Sequence, residues 1–133
     1  MLAHCYRRKT RAAPPRDGCA AAAAALPELD GITLSILGLH NCAGSTVLHM
    51  HASGPMCHVS YQPDELYYWP VLWIRDSGGR WHATRRRGQS GMNGEVALRL
   101  EVVPPLSRAA AWIEVLAAGQ SAQARVTLPL RWE

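Results

Sequence analysis

Six side chains with metal or nucleophile chemistry fall within nineteen positions: His40, Cys42, His49, His51, Cys57 and His58. Imidazole and thiolate are ligands that zinc and copper favour. Spacing limits what they can share. His40 and Cys42 precede a stretch that alternates as a strand, and Cys57 and His58 follow it. About eight residues at ~3.3 Å each hold the two groups ~25 Å apart, whereas a metal needs every ligand within about 2.3 Å. His49 and His51, two apart on one outward strand face, are the pair able to hold an ion together, with a third ligand that the sequence does not identify. The same separation argues against a Cys42–Cys57 bridge, whose Cα atoms must lie within about 7 Å. Four cysteines without framework spacing read as free thiols in a reducing compartment.

Other reactive patterns fall short. Gly88-Gln89-Ser90-Gly91-Met92 approaches the nucleophile-elbow pattern but ends on methionine and opens no helix. Gly88, Gly91 and Gly94 recur every third residue, which is not a dinucleotide fingerprint. Asp64 and Glu65 read as loop residues and Asp76 as part of a turn, so no carboxylate pair assembles. The expectation is a chain that is not an enzyme and carries no cofactor. Tyr61, Tyr67, Tyr68 and Trp69 form the strongest binding candidate, since these residue types offer large contact area with a polar handle. Trp73 and Trp81 are assigned to core packing.

The elements that must hold these residues read as strands. Trp69 to Thr84 is strand, turn and strand: Val71, Leu72, Trp73 and Ile74 suit a pleated surface, and Asp76-Ser77-Gly78-Gly79 is turn chemistry. Residues 31–39 place Ile32, Leu34 and Ile36 on one face, and 41–44 read as a turn. In residues 46–52, Leu48, Met50 and Ala52 point inward and Val47, His49 and His51 outward. Residues 94–103 alternate most clearly, with Val96, Leu98, Leu100 and Val102 inside, before Pro104-Pro105 stops the ladder. Residues 110–117 and 121–132 add further strands. Residues 85–93 read as a long glycine-punctuated loop, and the basic run Arg85, Arg86 and Arg87 as a contact for an acidic partner or a solvated stretch.

Seven to eight strands with turns every ten to fifteen residues predict an all-β, antiparallel β-sandwich over residues 31–133. Ile-Arg-Asp-Ser-Gly-Gly-Arg-Trp, residues 74–81, resembles the central hairpin of immunoglobulin-like β-sandwich domains of bacterial accessory proteins. The resemblance spans residues 31–132; it implies the sandwich fold and supplies no catalytic residue. No cysteine follows Cys57, so the antibody-type Cys–Trp–Cys core is not part of the likeness.

Length and composition fit this picture. The 133 residues amount to one domain. Thirteen arginines to one lysine, many alanines and no phenylalanine suggest a GC-rich bacterial genome. The net charge of +4 divides evenly between residues 1–30 and 31–133. No dense basic face is expected, and so no nucleic-acid partner. No apolar run reaches the ~18 residues of a membrane span. Residues 1–30, rich in Arg, Ala and Pro, read as a disordered leader, with at most a marginal helix over 20–26. The sequence does not name a compartment: it reads as cytoplasmic as it stands, and as exported or anchored if the coding start lies upstream of Met1. The reading is a non-catalytic binding module for a protein partner, using the loops at 56–69 and 85–93; the alternative is a metal site at His49 and His51.

Overall fold

A computed structural model of the chain describes residues 18–21, 23–42, 44–55, 70–92, 94–120 and 122–132. They form ten strands: β1 (Gly18–Ala21), β2 (Ala24–Ala25), β3 (Thr33–Cys42), β4 (Ser45–Ser53), β5 (Val71–Asp76), β6 (Trp81–Met92), β7 (Glu95–Val103), β8 (Trp112–Ala118), β9 (Gln123–Pro129) and β10 (Arg131–Trp132). The expected alternation holds where it was strongest. Val96, Leu98, Leu100 and Val102 of β7 are all buried, as are Leu48, Met50 and Ala52 of β4 and Ile113 and Val115 of β8. Buried side chains of β3, β4, β5, β7, β8 and β9 meet in one core.

The sandwich of seven to eight strands is replaced by a nearly closed barrel. All ten strands belong to one antiparallel sheet, in the order β10-β1-β3-β4-β7-β6-β5-β8-β9, with β2 also on β3. The strands at the two ends of that order, β9 and β10, are consecutive in the chain and separated by Leu130 alone. A one-residue link brings the two sheet edges together. Leu130 is buried and its N–H donates to Ala111 O. Curvature comes from two β-bulges, at Leu37 in β3 and Arg87 in β6, each placing two residues against one on the neighbouring strand. Alternation reports which face is inside; it does not distinguish a sheet that closes from two sheets that stack.

The strands begin before Gly31. Residues 18–21 pair with β3 and β10, and 24–25 pair with β3, so no helix forms over the described part of 20–26. Cys19, Ala20, Leu26 and Leu29 are buried. Alanine favours a helix in isolation, but so short a helix is marginal, and here two neighbouring strands supply backbone partners. Residues 1–17 lie outside the described residues.

Residues 85–92, expected as a loop, continue β6, which pairs with β7 as far as Met92↔Glu95. At Gly91, φ is +131° and a Cβ would stand 2.4 Å from Glu95 O, so the glycine permits the close approach of the two strands. Asn41 and Cys42 belong to β3 rather than to a turn, and β4 restarts at Ser45.

Side-chain bonds fasten both ends of the barrel. At one end, residues 104–111 cross from wall to wall. Leu106 N–H donates to Thr46 Oγ1 at 2.9 Å, Asn41 Nδ2 donates to Leu106 O at 3.3 Å, and Ala111 N–H donates to Ser77 Oγ at 2.9 Å. At the other, Leu26, Leu29 and Ile32 are buried and Asp30 Oδ2 accepts the Gln120 N–H at 2.9 Å.

Candidate functional site

The histidines arrange themselves differently from the expected outward pair. His49 is buried, at 5 % exposure, and its Nε2 lies 2.9 Å from His40 Nδ1, with the two rings stacked at 4.9 Å between centroids. His51 is half-exposed and lies 4.0 Å from Glu95. The bulge at Leu37 explains the partner. It turns His40, which strict alternation from Ile36 would send inward, onto the face of His49. His49 Nδ1 is buried and has no hydrogen-bond partner among the described residues. Leaving no buried N–H unpaired puts the proton on Nε2, which then donates to His40. Burial first, then His40 and the Arg99 guanidinium, lower the His49 pKa from 6.5 to about 4. Among the described residues no three His, Cys, Asp or Glu side chains form a metal-holding group. Cys57 and His58 lie outside the described residues.

A second buried histidine has a structural role. His82 of β6 lies with Nε2 2.9 Å from Asp76 Oδ2, and its Nδ1 bonds Pro104 O. Both ring nitrogens are thus held by groups of the fold. Asp76 Oδ1 also accepts the N–H groups of Gly78, at 2.9 Å, and Arg80, at 3.0 Å. Burial alone would raise the Asp76 pKa; the bonds from His82, Arg80 and Gly78 outweigh it and hold the carboxyl below its usual value. This carboxylate thus shapes the β5–β6 turn, and the imidazole ties it to the plug at 104–111.

The basic run is split by the strand that carries it. Arg85 and Arg87 both reach Glu101 Oε1, at 2.8 Å and 2.9 Å. Their hydrogen bonds keep the Glu101 carboxyl below its ordinary range. Arg86 is opposite the buried Leu100 and so belongs to the core side of β6, where it bonds Gln89 at 2.6 Å. Tyr61, Tyr67, Tyr68 and Trp69 lie outside the described residues.

The prominent surface feature is one the sequence reading assigned to the core. Trp73 and Trp81 are 42 % and 51 % exposed. Leu72 and Ile74 point inward on β5, so Trp73 between them must point out. Register places Val103, Ala83, Trp73 and Leu116 side by side across four strands on the outer wall. Trp81 lies opposite Arg75 in the adjacent row, and Val71 is exposed two residues before Trp73. Charges surround this apolar row. Glu114 is paired with Arg75 at 3.3 Å and Arg125 at 3.6 Å, as Glu101 is with Arg85 and Arg87. The Arg75 guanidinium also stands over the Trp112 ring, 5.7 Å from its centroid. Each of the two carboxylates is thus answered by two arginines, and among the described residues the wall is net cationic. The signal that could have found this face is period 2 counted back from Arg75, which puts Trp73 and Val71 outward.

Cys19 is engaged in a disulfide, which corrects the expectation of free thiols throughout, while Cys42 is a free, half-buried thiol. No helix of the described residues is long and apolar enough to cross a membrane. No protein-family model, curated protein or solved structure matches this chain.

Proposed function

We propose that this chain is a non-catalytic binding module that docks a protein partner on the tryptophan wall of β5, β6, β7 and β8. The observation that carries the reading is the exposed row Val103–Ala83–Trp73–Leu116, with Trp81 and Val71 beside it, inside a rim of arginines. Tryptophan and arginine are the residues most enriched among the energetic anchors of interfaces. A half-exposed tryptophan has roughly 100 Å² left to bury, worth about 2–3 kcal/mol before the costs of association. The rim carries four arginines against two glutamates, which favours a partner with an aliphatic centre ringed by carboxylates. The likeness of residues 74–81 to immunoglobulin-like accessory domains fits such a role, since that hairpin carries Trp81 on this wall. The Cys19 disulfide favours an oxidising compartment. His82 has both ring nitrogens committed to structure, which supports a role other than catalysis.

The test uses the full chain as bait in extract of the source cells, beside a Trp73→Ser/Trp81→Ser variant and a Ser90→Asp control on another part of the wall. The reading expects a protein retained by wild type and control and reduced at least tenfold by the tryptophan variant, with unchanged circular dichroism. Equal retention by all three overturns it, as does sedimentation with anionic vesicles without any captured protein.

A further inference from the structure

Chain reach limits which cysteine the Cys19 disulfide joins. The chain holds Cys5, Cys19, Cys42 and Cys57. Cys19 is bonded and Cys42 is free, so within this chain the partner is Cys5 or Cys57. Gly54 bounds where Cys57 lies. A Cβ on Gly54 would stand 2.3 Å from Gly31 O and 3.6 Å from the Ile32 Cα, so this glycine lies against the residues that lead into β3. Three chain steps carry the Cys57 Cα no more than about 11 Å from Gly54. A disulfide spans at most about 7 Å between Cα atoms, which sets a limit of about 18 Å from Gly54 for any partner of Cys57. Cys19 is beyond that limit. It pairs with His40, toward the far end of β3. From Ile32 to His40, with the bulged residue discounted, the chain runs ~23 Å, and β1 flanks β3 on the side away from β4.

We infer that Cys19 is bonded to Cys5, so that residues 5–19 form a disulfide-closed loop on the outer wall. Side-chain placement agrees. Ala20 joins the core, so Cys19 beside it points outward. Cys19 is nevertheless only 1 % exposed, and a segment bonded to it and lying over it accounts for that burial. Forming the bond takes two protons and two electrons from the two thiols. The electrons pass to a disulfide oxidant, which leaves as two thiols, in the oxidising compartment that the Cys19 bond favours. Cys57 then joins Cys42 as a free thiol. The closed loop carries Arg7, Arg8, Lys9, Arg11 and Arg16 with a single acidic residue, Asp17. The bond therefore holds these five cations at the seam where β1 joins β10 to β3.

The test takes the full chain, refolded in a glutathione redox buffer, and alkylates it in denaturant without reductant. Digestion with trypsin and a Glu-specific protease follows, and linked peptides are read by mass spectrometry. Cleavage after Arg7, Arg16, Glu28 and Glu65 puts Cys5 in peptide 1–7, Cys19 in 17–28, and Cys42 with Cys57 in 29–65. Peptide 1–7 should be linked to 17–28, and 29–65 should carry an alkyl group on both of its cysteines. Cys5→Ser should free Cys19 for alkylation, and Cys57→Ser should leave the link between 1–7 and 17–28 unchanged. A link between 17–28 and 29–65 overturns the assignment. So does a link between two copies of 17–28, and so does alkylation of all four cysteines.

Discussion

Replacing His49 by asparagine should flatten the acid limb of the stability profile. The wild-type imidazole is buried, donates to His40, and leaves Nδ1 without a partner beside the Arg99 cation. Adding a proton at Nδ1 would create a buried, unpaired charge. The unfolded chain takes up that proton near pH 6.5, the folded chain only near about 4. Between these values the unfolded state binds one more proton, so stability is complete above pH 6.5 and falls as pH drops. The slope is about 1.4 kcal/mol per pH unit, and the loss amounts to about 3 kcal/mol once both states are protonated. Asparagine does not titrate, so the variant lacks this slope, whatever packing energy it loses at neutral pH. Other carboxylates and histidines titrate in both proteins and cancel in the difference. Urea unfolding at about pH 7, about 5.5 and about 4.5 should show the wild-type advantage shrinking by about 2–3 kcal/mol. A difference that is constant with pH, or a His49 resonance titrating near its ordinary value, would refute the reasoning.

Two further outcomes follow from the polar and glycine positions. His82→Ala takes the donor from the buried Asp76 Oδ2 and from the Pro104 carbonyl; urea unfolding should show a loss of about 3 kcal/mol or more. The depressed Asp76 pKa adds stability that is present above the ordinary aspartate value and is lost as pH falls through the folded value, so the variant should also lose part of that acid dependence. Gly91→Ala and Gly79→Ala both place a methyl at positive φ, but only the Gly91 methyl would strike backbone, at 2.4 Å from Glu95 O. Thermal or urea unfolding should give about 1–2 kcal/mol for Gly79→Ala and distinctly more for Gly91→Ala.

How much of this was legible in the sequence depended on whether a pattern had one physical reading. β7 was legible because Val96, Leu98, Leu100 and Val102 alternate without interruption. The β5–β6 turn was legible because Asp76 and the following glycines have a local hydrogen-bonding reason to sit there. Trp73 was not legible because Val71 to Ile74 are apolar without a break, so no alternation shows there and residue type alone assigned the tryptophan to the core; only a count back from Arg75 puts it outward. The pairing of His49 with His40 was hidden because it depends on a bulge, and Leu37 gives no local sign that it is the extra residue. The strand at 18–21 was hidden because alanine and glycine carry no period of their own; its neighbours, β3 and β10, create the site for it. Closure of the sheet was hidden for a related reason. It rests on Leu130 joining two strands that reach opposite edges, a relation among distant elements that no local window contains.

The central claim, that a protein partner docks on the tryptophan wall, is tested most directly by site-specific photo-crosslinking in the source cells. A benzophenone residue at Ala83, beside Trp73 and between β5 and β7, should give one dominant protein adduct whose linked peptide is rich in carboxylates. The same residue at Ser90, farther along β6, should give none. No adduct at Ala83, or the same adduct from both positions, would contradict the account.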